Sequence, residues 1–79
     1  MGTRERLRKI FVRVLNVPED APVEEFVYRS TPVWDSLNHL SLVAAIEDEF
    51  SVQIATEQVI GMSSFQNTLS ILGDLGCAD

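Results

Sequence analysis

Cysteine, histidine and long apolar runs are nearly absent from this chain of 79 residues. Cys77 is the only cysteine and His39 the only histidine, so an internal disulfide is impossible and a zinc site lacks ligands. The acidic residues also lack the spacing of a calcium-binding loop. No apolar run approaches the roughly 20 residues of a membrane span, and the first residues lack the apolar stretch of a signal peptide. We therefore expect a protein of the reducing cytoplasm that holds no metal and does not bind membranes.

Positive charge is scarce, because twelve acidic residues outweigh six basic ones and leave a formal net charge of -6. This balance repels phosphate backbones, which argues against nucleic acid as a ligand and favours protein partners with basic patches. All but one of the cations lie near the start of the chain: Arg4, Arg6, Arg8, Lys9 and Arg13. We interpret this cluster as the solvated face of an amphipathic helix and assign it no function.

An apolar stripe marks a first helix, which we predict over residues 3–15 with Thr3 as its N-cap. Its members recur at i, i+3, i+4, i+7 and i+8: Leu7, Ile10, Phe11, Val14 and Leu15. Asn16 and Pro18 end this helix, and further prolines indicate a long connection that reaches Trp34, with one short helical turn around Glu24. A loop of this length needs anchors in the core, for which we expect Val23, Phe26, Val27, Tyr28, Val33 and Trp34.

A second helix is predicted over residues 36–50, with Asp35 or Ser36 as its cap, and it has two faces to explain. At about 100° per residue, one face carries a core stripe of His39, Leu42, Val43, Ile46 and Phe50. The other sector mixes hydroxyl, apolar and acidic groups: Ser36, Leu37, Leu40, Ala44, Glu47 and Asp48. This sector is either an exposed docking surface or is covered by the loop over residues 17–34, and the periodicity alone leaves both open.

Two shorter helices complete the chain after an extended link at residues 51–54. The third helix is brief, capped by Thr56 and ended by Gly61, and the fourth is capped by Ser63 or Ser64. The core side chains of the fourth helix are Phe65, Leu69, Leu72 and Leu75. We therefore predict one all-α domain over residues 1–79, a four-helix bundle of three longer helices and one short helix, with a long loop between helices 1 and 2.

Ser36 stands where unpaired backbone N–H groups and the helix dipole favour an anion, such as a phosphodiester on its hydroxyl. A serine at a helix start is usually only a cap, so its position alone decides nothing. Asp35, Ser36 and His39 also suggest a hydrolase triad, but nothing in this short helical chain indicates the oxyanion hole and bounded substrate site that a triad needs. We predict no catalytic residue, and we expect His39 at the edge of the core.

The run that opens the second helix resembles the attachment region of acyl carrier proteins: Trp34-Asp35-Ser36-Leu37-Asn38-His39-Leu40. Asp-Ser-Leu is the modification motif of that family. Here it opens a helix in mid-chain and is followed at similar spacing by Val43, Ile46, the acidic cluster Glu47-Asp48-Glu49 and Phe50. The order and lengths of the helices and of the long loop are also similar to the family over nearly the whole chain.

This resemblance implies that Ser36 accepts 4′-phosphopantetheine from coenzyme A through a separate phosphopantetheinyl transferase, and that the arm's thiol carries an acyl group. Asp35 matches the motif aspartate that helps position the serine. The positions that the family uses to dock onto basic patches of partner enzymes are Leu37, Leu40, Ala44, Glu47 and Asp48. The implied partners are the transferase, an acyl-loading ligase or acyltransferase, and downstream synthases or transferases, and the implied carrier is a monomer that is not an enzyme.

The chain departs from the fatty-acid-synthesis pattern at Asn38 and Ser41, which are usually acidic in that pattern, and in the third helix, where only Glu57 is acidic. Trp34 before the motif and Asn38-His39 after it resemble free-standing carriers of specialised pathways, which make polyketides, modified fatty acids or related products. A peptidyl or aryl carrier loaded by an adenylating enzyme stays open as an alternative. An unmodified helical interaction module is the alternative from a different class.

The interior between the second and third helices is either an ordinary filled core or a shelter for short to medium acyl groups, and both interpretations stay open. The apolar residues that would line such a shelter are Val43, Ile46, Ile54, Val59, Ile60 and Met62.

Overall fold

The computed structural model describes residues 2–77, and its long helices are α1 (Thr3–Leu15), α2 (Ser36–Phe50) and α4 (Phe65–Asp74). A short helix, α3 (Thr56–Gly61), and a single 3₁₀ turn (Val23–Glu25) complete the helical structure of this range. The described residues contain no β-strand. The predicted all-α bundle of three longer helices and one short helix is therefore confirmed, including the long loop before α2.

The start of α1 differs from the prediction, because its N-cap is Gly2 and Thr3 is the first helical residue. Thr3 is buried, and its hydroxyl donates a hydrogen bond to the Cys77 carbonyl. The hydroxyl therefore ties the two ends of the described chain together instead of capping its own helix. At the other end α1 stops as predicted at Asn16, which adopts a left-handed conformation (φ 55°) that asparagine tolerates.

Side chains cap two of the other helices. The Asp35 carboxylate accepts a hydrogen bond from the Asn38 N–H at 2.9 Å, so Asp35 is the cap of α2 and Ser36 is its first residue. The Ser64 hydroxyl likewise accepts from the Asn67 N–H and caps α4.

The cap of α3 is different from the predicted Thr56. Ala55 is the N-cap residue, and its backbone N–H is satisfied by the Gln58 side-chain oxygen at 2.9 Å. Thr56 is the first helical residue of α3.

The core forms where α1 packs against α2, with α4 and the 3₁₀ turn closing the remaining sides. Phe11 lies at its centre, edge-on to Trp34 (5.0 Å between ring centroids) and to Phe65 (5.1 Å). Such edge-to-face contacts stabilise the packing beyond the apolar area that they bury. The other large side chains that are fully buried are Leu7, Val23, Leu42, Ile46, Met62 and Leu72.

Backbone hydrogen bonds hold the second half of the long loop against the bundle. The Tyr28 N–H donates to the Ser63 carbonyl at 2.8 Å, and the Phe65 N–H donates to the Phe26 carbonyl at 3.2 Å. Val27 and Val33 are 43% and 38% exposed, so the expectation that they anchor the loop is wrong. The loop does not need those two side chains, because these backbone bonds fix its position and the fully buried Val23 and Trp34 anchor it.

Arg8 holds the first half of the loop against α1. Its guanidinium lies 3.0 Å from the Glu24 carboxylate and donates to the backbone carbonyls of Glu19 and Ala21. A planar guanidinium has enough donors to bind a carboxylate and two carbonyls together. Among the helices of residues 2–77, none is long and apolar enough to cross a membrane.

Candidate functional site

Ser36 is exposed at the first position of α2. Two hydrogen bonds to Asp35 hold the turn that presents Ser36, one from the Asn38 N–H to the carboxylate (2.9 Å) and one from the His39 N–H to the carbonyl (2.8 Å). The Asn38 amide also donates to the Val33 carbonyl at 2.7 Å and so joins the loop to the helix. The hydroxyl of Ser36 is thus presented to solvent from a fixed backbone.

Tyr28 contacts this serine directly, with 3.0 Å between the two hydroxyl oxygens. The sequence predicts Tyr28 only as a core anchor of the loop and does not predict this contact with Ser36. The two positions are eight apart in the sequence across an irregular loop, and no periodic pattern relates positions across such a loop. Its neighbours show why the ring lies there: it stacks on His39 at 4.5 Å and lies 5.9 Å from Trp34.

His39 is buried, at 7% exposure, and both of its ring nitrogens are hydrogen-bonded. The Trp34 indole N–H donates to Nδ1 at 3.0 Å, and Nε2 lies 2.9 Å from the Val59 carbonyl. Because an indole can only donate and a carbonyl can only accept, the neutral tautomer with its proton on Nε2 satisfies both. His39 therefore links the loop, α2 and α3, and neither of its nitrogens is bonded to Ser36.

The mixed sector of α2 is uncovered, which decides between the two interpretations of that sector. Leu37 and Leu40 are 74% and 63% exposed, and Ala44 and Asp48 are exposed as well. Ile60 of α3 is 76% exposed. The loop packs elsewhere, so this face of α2 is accessible to another molecule.

Glu47 differs from the other members of this sector. It is half-buried, and its carboxylate accepts a hydrogen bond from the Ile54 N–H at 2.8 Å. The interpretation of this sector as exposed therefore holds for Asp48 but only in part for Glu47. The extended link after α2 leaves the Ile54 N–H without a helical partner, and Glu47 supplies one.

The basic cluster of α1 is only partly a solvated face. Arg6 forms an ion pair with Glu49 at 2.9 Å and lies 4.4 Å from the centre of the Phe50 ring, so it holds the end of α2. Arg8 holds the loop through Glu24. A hydrogen bond from the backbone at Glu24 is the main cause that lowers the pKa of this carboxylate below its ordinary value of 4.5, and Arg8 lowers it further against the opposing effect of desolvation.

The residues expected to line an acyl shelter are not all interior. Ile46, Ile54 and Met62 are buried, but the exposed Ile60 cannot line an interior between α2 and α3 in this structure. A cavity of about 590 Å³ lies instead along the outside of α1, away from Ser36, and is lined by Glu5, Arg8, Lys9, Val12, Arg13 and Glu19. Its charged lining does not suit an acyl chain.

Comparison with known proteins identifies the family. No protein-family model matches the chain. The acyl carrier protein of Zymomonas mobilis subsp. mobilis (strain ATCC 31821 / ZM4 / CP4) is 33% identical to it over 72 residues, which are 91% of this chain and 92% of that protein. The chain belongs to the acyl carrier protein family. This confirms the predicted family, and it gives the chain the general function of a carrier.

Acyl carrier proteins as a family carry 4′-phosphopantetheine, and the geometry around Ser36 fits that group. The hydroxyl is exposed, so a transferase can reach it. A phosphodiester there would lie at the start of α2, where the helix dipole and the first backbone N–H groups stabilise negative charge. The Tyr28 hydroxyl is a further hydrogen-bonding group at the same position.

Proposed function

We propose that this acyl carrier protein holds an acyl intermediate as a thioester on 4′-phosphopantetheine attached to Ser36, and that it presents the intermediate to partner enzymes in the cytoplasm. The observation that carries the proposal is the exposed Ser36 hydroxyl on a turn held by Asp35. When bound, the arm supplies the thiol on which the acyl group travels. The chain's own task is to fix the attachment point and to offer a docking face.

Partners are proposed to dock on the exposed sector of α2. Leu37 and Leu40 present bare apolar surface beside Ser36, and Asp48 adds exposed negative charge. An apolar centre gives contact while charges at the rim raise the rate of encounter with a basic patch, which suits a monomeric carrier that must leave each enzyme again. The proposed partners are the phosphopantetheinyl transferase, an acyl-loading ligase or acyltransferase, and a downstream synthase or transferase.

The specialised pathway is the finer part of the proposal, and Asn38 and Ser41 support it unequally. The Asn38 amide donates to the Val33 carbonyl, which a carboxylate could not do, so a structural need explains this uncharged position. Ser41 is exposed, and its hydroxyl donates only within its own helix. The uncharged surface at Ser41 therefore favours partners that differ from those of ordinary fatty acid synthesis, including an adenylating enzyme that would load a peptidyl or aryl group.

Intact mass spectrometry tests the attachment. Purified protein is incubated with coenzyme A and a broad phosphopantetheinyl transferase, and we expect the mass to rise by one phosphopantetheine group. Ser36→Ala should abolish the gain and still fold, because Asp35 and not Ser36 caps α2 and the variant loses only the Tyr28 contact, about 1 kcal/mol. Ser41→Ala is the matched control, and it should gain the group normally.

A wild-type protein that gains no mass would favour the unmodified interaction module. Modification that persists in Ser36→Ala would place the attachment elsewhere. The protein with the arm attached and its thiol free is then incubated with an adenylating ligase or with an acyltransferase. Only the matching class of enzyme adds its group to the thiol, so this experiment separates the acyl carrier from the peptidyl or aryl alternative.

A further inference from the structure

The phenol of Tyr28 is held in place through its backbone and through its ring. Its backbone N–H donates to the Ser63 carbonyl at 2.8 Å, which fixes the main chain of the loop. Its ring stacks on His39 at an interplanar angle of 29°, and His39 is itself fixed by Trp34. The hydroxyl at the ring's outer end therefore has little freedom, and it lies 3.0 Å from the Ser36 hydroxyl.

The packing of the Tyr28 ring does not explain why this residue carries a hydroxyl. A phenylalanine at position 28 would make the same ring contacts with His39 and Trp34, because those contacts involve only the ring. A hydrogen bond between two hydroxyls at an exposed position adds little to stability, since water competes for both groups. What the oxygen of Tyr28 adds is a defined partner for Ser36.

We infer that Tyr28 is a positioning residue for Ser36 in the transfer of phosphopantetheine, an inference that rests on the proposed function. In that transfer the Ser36 oxygen forms a new bond to the β-phosphorus of coenzyme A. The bond from this phosphorus to the bridging pyrophosphate oxygen breaks, adenosine 3′,5′-bisphosphate leaves, and the serine proton passes to a basic group of the transferase. When the Tyr28 hydroxyl donates to Ser36, one lone pair is occupied and the serine proton points away from the phenol, toward the approaching enzyme.

The same contact acquires a definite direction after attachment. Before the transfer either hydroxyl can donate, because each has a proton and lone pairs. Once the Ser36 oxygen is a phosphate ester it has no proton, so Tyr28 becomes the donor, either to the ester oxygen or to an adjacent phosphate oxygen. Hydrogen bonds to a charged oxygen are stronger than those between neutral groups. Tyr28 therefore holds the root of the arm as well as the serine that receives it.

Tyr28→Phe tests the inference, because it removes one oxygen and keeps the ring stack. We expect kcat for phosphopantetheine transfer to fall about twofold to tenfold, the effect of one hydrogen bond, while KM for the carrier stays unchanged because docking uses Leu37 and Leu40. Ser70→Ala, which removes an exposed hydroxyl from α4, is the control and should change neither constant. Circular dichroism and thermal unfolding establish that both variants fold.

A second readout does not depend on rate. The phosphodiester of the modified wild-type protein should have a ³¹P chemical shift different from that of modified Tyr28→Phe, because only the wild type donates a hydrogen bond to it. A crystal structure of the modified wild-type protein should also place the Tyr28 hydroxyl about 3 Å from a phosphate or ester oxygen. The crystal structure requires no variant and so tests the inference even if Tyr28→Phe folds poorly.

An unchanged kcat, a loss carried by KM alone, or a phenol that turns away from the phosphate would overturn the role of Tyr28. These outcomes are distinct from failure of the proposed function, in which the wild-type protein itself gains no phosphopantetheine.

Discussion

Replacing His39 by leucine would break the connection between the loop, α2 and α3. The leucine side chain occupies a similar space, so the change leaves little cavity and mainly removes two hydrogen bonds. The Trp34 indole N–H, now 3.0 Å from Nδ1, would lose its acceptor inside the core, where Trp34 has no exposed surface. The Val59 carbonyl, now 2.9 Å from Nε2, would lose this donor and keep only the Met62 N–H at 3.3 Å.

The cost follows from the burial of the two groups that each lose a hydrogen bond. A buried polar group left without a partner costs about 1–3 kcal/mol, and the indole N–H belongs at the upper end because water cannot reach it. The Val59 carbonyl loses less, because it keeps the Met62 N–H and Val59 is only half-buried. We therefore expect His39→Leu to lower the free energy of unfolding by about 2–4 kcal/mol. A domain of this size is stable by only about 4–12 kcal/mol, so the loss is a large share of the total.

Urea unfolding followed by circular dichroism measures this loss, and a double-mutant cycle assigns it. Trp34→Phe removes the indole donor, so adding it to His39→Leu removes a group that the first change had left unsatisfied. The double variant should consequently be destabilised by less than the sum of the single variants. A loss below about 1 kcal/mol in His39→Leu, or strict additivity in the cycle, would refute the claim that this network stabilises the site.

Two further predictions concern charge. Asp48→Lys should slow transfer of the arm about twofold to fivefold at low salt and weaken the salt dependence of the rate. Glu47→Gln keeps an oxygen acceptor for the Ile54 N–H, so it should retain the fold and have the smaller effect on the rate. Rates measured with the transferase at several salt concentrations test this, and equal salt slopes for Asp48→Lys and wild type would move the docking site away from α2, toward α1. The lowered pKa of Glu24 means that its contribution to stability is complete above the ordinary value of 4.5 and is lost as the pH falls through the lower value of the folded state. Thermal unfolding midpoints should therefore decline less steeply in acid for Glu24→Gln than for wild type. The same acid dependence in both proteins would show that folding does not lower the pKa of Glu24.

The helices could be predicted from the sequence because their signals are local. The stripe from Leu7 to Leu15 and the following Asn16 define α1, and the uninterrupted run from Ser36 to Phe50 defines α2, with the same bounds in the structure. The caps were less predictable, since several polar residues stand near each helix start and the choice depends on other partners. Thr3 is the example: its hydroxyl bonds to Cys77 at the far end of the chain, and no local pattern contains that information.

Ser36 as the centre of the candidate site came from a motif, whereas its surroundings required the folded chain. The Tyr28 contact, the Glu47 bond to the Ile54 N–H and the Arg8 clamp on the loop all join segments whose relative placement depends on the whole bundle. The sequence predicts Val27 as a loop anchor because it is apolar, but its side chain is exposed. An apolar residue in a loop is an anchor only if the backbone turns its side chain inward.

Trp34 is an intrinsic fluorescence probe in this protein. It is the only tryptophan in the chain, its ring is fully buried, and it lies close in sequence to Ser36. Indole emission moves to longer wavelengths when water reaches the ring, so separation of the loop from α2 can be followed without a label. The same emission shows whether attachment of the arm leaves the loop packed against α2 or loosens the loop, and the measurement uses the native sequence.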